Sequence, residues 1–169
     1  MKKAYLYLLI GVILLCFSLG IVALDLIIHI AGYGLMILGI TLILQQRQSA
    51  PLMMSKQLTI GLLIFELLKS GIARAVISNT ILATGIMTLI LVVQLAIFYL
   101  IIKAEGDASE SLEVQTYQQA TLLFSIALLS LYLISYFSTF VYFLFTTLDL
   151  YFLIFIIYVF YKIRAMYHF

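Results

Sequence analysis

The chain has 169 residues, 66% of them hydrophobic and 9% charged, with a formal net charge of +2 and a mean hydropathy of +1.24. A soluble domain is roughly half apolar and about a quarter charged, because it covers its core with a wetted surface; this composition excludes that solution and calls for lipid outside the fold. Nine basic residues against seven acidic ones, with no basic run longer than Lys2-Lys3, exclude a nucleic-acid footprint, and the solitary Cys16 excludes an intrachain disulfide or a thiolate metal cluster.

The first apolar run covers residues 4–24 and ends at Asp25. Lys2 and Lys3 ahead of it resemble the start of a signal peptide. However, Ile21-Val22-Ala23 has a small residue only at its last position, and Ile13-Leu14-Leu15-Cys16 lacks the small residue that precedes a lipoprotein cysteine. An uncleaved first span is therefore expected. A second span at residues 30–44 follows at once, closing a tight hairpin, and stops at Gln45-Gln46-Arg47-Gln48-Ser49. Pro51 is expected in the next loop, where it costs no helical hydrogen bond.

Residues 58–102 are apolar with interruptions, too long for one span of about 20 residues and long enough for two. Ser78-Asn79 is the polar pair near the middle, which predicts helices at 58–77 and 80–102. The alternative is one re-entrant or interfacial helix before a single true span, giving five crossings. Residues 103–119 carry Glu105, Asp107, Glu110 and Glu113 against Lys103 and read as a solvated acidic loop, helical toward Tyr117. The last spans, 120–138 and 140–161, turn at Ser138-Thr139 or slightly later, near Thr146-Thr147.

The expected fold is therefore all-α: one membrane domain over residues 1–169, a polytopic bundle of six transmembrane helices. In this arrangement Lys2, Lys3, Arg47, Lys56, Lys103, Lys162 and Arg164 fall on one side, seven of the nine basic residues. Basic residues mark the cytoplasmic face, so both termini and the acidic loop are expected there, in a cell (plasma or inner) membrane. Tyr5, Tyr7, Tyr99, Tyr117, Tyr158, Tyr161 and Tyr167 sit near the same helix ends, at the headgroup depth that amphipathic rings prefer. Leu24-Asp25-Leu26 recurs as Leu148-Asp149-Leu150, but the two lie in different settings and no internal repeat is evident.

The third helix holds the densest polar constellation. At 100° per residue, Glu66, Ser70 and Thr59 fall within about 40° of one another, with Lys69 and Arg74 about 60–80° to either side. An ionised residue at mid-membrane costs about 2.5–3.5 kcal/mol, so this stripe is expected to face the bundle interior. Three readings stay open. The stripe lines a pathway for a polar or anionic solute; or Glu66 pairs with Lys69, and secondarily with Arg74, to hold helices together; or the segment lies on the membrane surface with its charges solvated.

Asp149 is the other intramembrane carboxylate, with Lys69 or Arg74 as its expected partner, unless a turn at Thr146-Thr147 puts it at the surface. Asp25 and His29 flank the outer end of the first hairpin, four residues apart, too few to make a metal site. Gly32, Gly34 and Gly39 point to close backbone approach on the second helix.

The stretch from Leu24 through His29 to Gly32-Tyr33, followed by Leu35-Met36-Ile37-Leu38-Gly39, resembles the first hairpin of small, uncharacterised multi-pass bacterial membrane proteins. In that group the turn commonly reads Pro-Asp-Phe-Ile-Gly-Tyr before an apolar run ending in Leu-Gly or Ile-Gly. Gly32-Tyr33 is kept, whereas Ile28 and His29 stand where Pro and Asp would. The resemblance implies a bacterial inner or plasma membrane and carries no activity.

No nucleophile with its base, phosphate loop or metal motif is present, so no enzyme, cofactor or metal is expected. Two function classes remain. One is a non-catalytic accessory or assembly protein whose intramembrane charges hold helices, a membrane-protein partner or further copies together. The other is a transporter of a small solute or ion, or its membrane subunit, using the polar stripe of the third helix.

Overall fold

The computed structural model describes residues 1–16, 20–77, 80–109 and 111–167, with side chains except at 22, 69–77 and 80–82. Its elements are α1 (Lys2–Cys16), α2 (Val22–Gln46), α3 (Ala50–Ile77), α4 (Thr80–Ser109), α5 (Leu112–Ser135) and α6 (Thr139–Met166). Helices are the only economical answer to this sequence, because in lipid every backbone donor and acceptor has to be satisfied within its own segment. Five of them, α2 to α6, are long and apolar enough to cross a membrane. α1 has 15 residues, about 22 Å at 1.5 Å per residue, against a hydrocarbon thickness of about 30 Å.

The helices form a ring in chain order, each packed on its sequence neighbour, and α6 closes the ring against α1. Short connections make neighbours antiparallel. The register shows it: Tyr117, Phe124 and Tyr132 of α5 meet Tyr158, Phe152 and Phe145 of α6, running in opposite senses. The start of α1, the ends of α2, α4 and α6 and the starts of α3 and α5 consequently share one end of the bundle, the terminal end. The α5–α6 turn marks the far end.

Between α1 and α2 the approach is close enough to exclude a side chain. A Cβ on Gly11 would lie 2.8 Å from the Gly32 carbonyl oxygen, and one on Gly39 would lie 2.8 Å from that of Ala4. Gly34, by contrast, faces open space. The chain turns between the two helices at Gly20, whose φ of 72° only glycine adopts without strain.

Inside the ring, α2 contributes Tyr33, Met36, Ile40 and Ile43, and α6 contributes Phe152, Ile156, Val159, Phe160 and Ile163, at helical three- and four-residue spacing. Large apolar side chains cover the outside as well: Leu89, Leu123 and Phe143 are each more than 60% exposed. This all-round apolarity belongs to helices with lipid outside and a packed bundle inside.

Several boundaries differ from the sequence expectation. The first turn falls before Val22, not at residues 25–29, so Asp25 and His29 lie within the first turns of α2. Pro51 sits in the first turn of α3, where a missing N–H leaves no helical bond unmade. Most of the expected acidic loop is helical: α4 runs on through Lys103 and Glu105 to Ser109, and α5 starts at Leu112. Spans judged by apolarity end where polar residues begin, whereas a helix continues as long as its backbone bonds do. Ser78, Asn79, Glu110 and His168 lie outside the described residues.

Candidate functional site

His29 of α2 and Glu66 of α3, singled out separately in the sequence, come together in the bundle. The ring places the start of α2 beside the second half of α3, and His29 Nδ1 stands 3.1 Å from Glu66 Oε1. Glu66 is 8% exposed, which agrees with the inward-facing stripe, as does the complete burial of Thr59. The side chains of Lys69, Ser70 and Arg74 lie outside the described residues, and with them the expected Glu66–Lys69 pair.

One turn after His29 on the same face of α2 is Tyr33, whose hydroxyl accepts a hydrogen bond from Gln94 Nε2 of α4 at 3.0 Å. His29, Glu66, Tyr33 and Gln94 thus join α2, α3 and α4 through polar contacts at membrane depth. Asp25 precedes His29 by one turn. Gln94 was legible as the lone amide in a predicted apolar span, and Tyr33 from its spacing of four after His29.

A second cluster was not anticipated. Glu105, assigned by composition to a solvated loop, is 1% exposed. Its Oε1 accepts hydrogen bonds from the Tyr5 hydroxyl of α1 and from the guanidinium of Arg47, just after α2. Its Oε2 accepts from the Tyr167 hydroxyl at 2.7 Å. The rings of Tyr5 and Tyr167 stack 5.8 Å apart at 11°. One carboxylate thereby fastens four separated stretches of chain at the terminal end. Burial, then the hydrogen bond to Glu105 and its charge, push the Tyr167 phenol from its ordinary 10.0 up to about 12, against a smaller opposite pull from Arg47.

Asp149 behaves differently. The α5–α6 turn lies at residues 136–138, so Asp149 is well inside α6 and not at the surface. It is half-buried and close enough to Cys16 at the end of α1 to interact with it electrostatically, but it has no ion pair or hydrogen bond among the described residues. α6 packs on α5 and α1, the helices either side of it in the ring.

At the far end, α4, α5 and α6 border an open cavity of about 400 Å³ that includes Gln94, Tyr132, Tyr136, Tyr142 and Phe145 in its walls. The Tyr136 hydroxyl donates to that of Tyr132 at 2.6 Å. Among the described residues, no three His, Cys, Asp or Glu side chains gather as metal ligands. No protein-family model matches the chain, and no curated protein or solved structure matches it either.

Proposed function

We propose that this chain is a non-catalytic accessory or assembly protein of a bacterial membrane complex, seated in the cell membrane with its terminal end cytoplasmic. Asp149 is the observation that carries this reading. It is a carboxylate in a membrane-spanning helix, partly buried and without an ion pair or hydrogen bond among the described residues, while Glu66 and Glu105 are engaged within the bundle. An ionised carboxylate in the membrane costs about 2.5–3.5 kcal/mol, which a basic residue on a partner's transmembrane helix would offset. The unbroken run of each described helix and the lack of an internal repeat also favour this reading over a self-contained transporter. Orientation rests on the seven basic residues at the terminal end, and reporter fusions at Phe169 would report it.

Affinity purification from native membranes tests the assembly role. A stable membrane partner is expected with the parent chain and is expected to be lost with Asp149→Asn, while the variant itself stays folded. Capture of the same partner by Asp149→Asn removes the basis of the reading.

The second reading, transport of a small solute or ion, is favoured by the His29–Glu66 and Tyr33–Gln94 contacts, which carry polar groups across three helices. Uptake by the purified chain alone in liposomes, abolished by Glu66→Gln with the fold intact, would replace the assembly role with this one.

A further inference from the structure

We propose that the far-end cavity is a binding site for a small organic ammonium cation. Its dimensions suit a small molecule: about 400 Å³, within the roughly 300–1,000 Å³ usual for such sites. Three helices contribute to it, so its walls are set by the fold of the bundle and not by a single loop. Four of its nine lining residues are aromatic. Tyr132 stands edge-on to Tyr136, with centroids 5.4 Å apart at 80°; Phe145 lies 5.1 Å from Tyr132 at 57°; and Tyr142 lies 6.5 Å from Phe145 at 43°.

Hydrogen bonds decide what the polar atoms offer. Tyr136 spends its hydrogen on the Tyr132 hydroxyl, and Gln94 engages its amide nitrogen with Tyr33. Those contacts leave the Tyr136 oxygen lone pairs and the Gln94 carbonyl oxygen as acceptors at the cavity. No Lys, Arg, Asp or Glu among the described residues lines it. An anion would find no counter-charge among them. A quaternary or alkylated ammonium suits these walls, because it is weakly hydrated, is attracted to electron-rich ring faces and has its charge spread over methyl groups.

The test compares choline with its neutral carbon isostere, 3,3-dimethylbutan-1-ol. The full chain is reconstituted in phosphatidylglycerol nanodiscs, which contain no choline headgroup, and binding is measured by equilibrium dialysis. Choline is expected to bind about tenfold or more tightly than the neutral alcohol, the order of a desolvated cation–π contact. Tyr142→Phe, which keeps the ring, should retain that preference, whereas Tyr142→Leu and Phe145→Leu should each weaken choline binding several-fold. Tyr142 is largely exposed, so its replacement leaves the helix packing in place, and helical circular dichroism of each nanodisc sample verifies the fold. Equal binding of choline and the neutral alcohol, no binding of choline, or undiminished binding in both leucine variants would each overturn the assignment.

Discussion

The two ends of the bundle handle polar groups in opposite ways. At the terminal end Glu105 is enclosed and takes hydrogen bonds from Tyr5, Arg47 and Tyr167, around an aromatic core that includes Phe98, Phe152 and Phe160. At the far end the phenols of Tyr132 and Tyr136 bond to each other and border a cavity. A charge drawn from four stretches of chain closes a structure, because all four must be in place before it is satisfied. Neutral groups paired one turn apart in sequence, such as Tyr132 and Tyr136, make that bond without drawing two helices together. The contrast predicts a rigid, fastened terminal end and a far end that tolerates change.

Replacing Glu105 is the sharpest way to break this comparison. Glu105→Leu removes three hydrogen bonds and strands the Arg47 guanidinium, which should destabilise the fold by about 3–5 kcal/mol in reversible unfolding in detergent. The matching change at the far end, Tyr136→Phe, removes one exposed hydroxyl bond and should cost no more than about 0.5–1.5 kcal/mol. Comparable losses from the two would show that the ends are not fastened differently.

Between these extremes lies the His29–Glu66 contact, midway in character because it joins only two helices. A double-mutant cycle of His29→Leu and Glu66→Gln should give a coupling of about 0.5–3 kcal/mol, the range for residues in direct contact. Strictly additive losses would mean that Glu66 is held by other groups and that His29 is incidental.

The last expected effect is a pH dependence at the terminal end. The Tyr167 phenol is raised to about 12 in the fold from an ordinary 10.0, so its contribution is complete below about 10 and lost as pH rises through about 12. Stability of the parent chain should therefore fall across that window, and Tyr167→Phe should flatten the fall. An unchanged slope in Tyr167→Phe would remove this residue from the latch.

How legible the site was depended on distance along the chain. Glu66 was recognisable as a carboxylate in an apolar helix, and its inward direction followed from helical spacing with Thr59. Its contact with His29 was not, because the two are 37 residues apart and the expected turn put His29 at a hairpin tip. Glu105 was misread altogether: four carboxylates in a short segment look solvated, and no local pattern tells that one of them points inward.

Composition alone determined that lipid surrounds this protein, and apolar run lengths determined that it is a multi-helix bundle, since both follow from the cost of leaving backbone and charge unsatisfied in hydrocarbon. Tertiary structure decided which polar groups meet. The closure of α6 on α1 brings Tyr167 and Tyr5 together over Glu105, the pairing of α2 with α3 turns two separate candidates into one contact, and the convergence of α4, α5 and α6 makes a cavity from tyrosines that in sequence were only a run of aromatics. Periodicity along a helix records which face a residue occupies. It carries no record of the neighbour that will pack against that face.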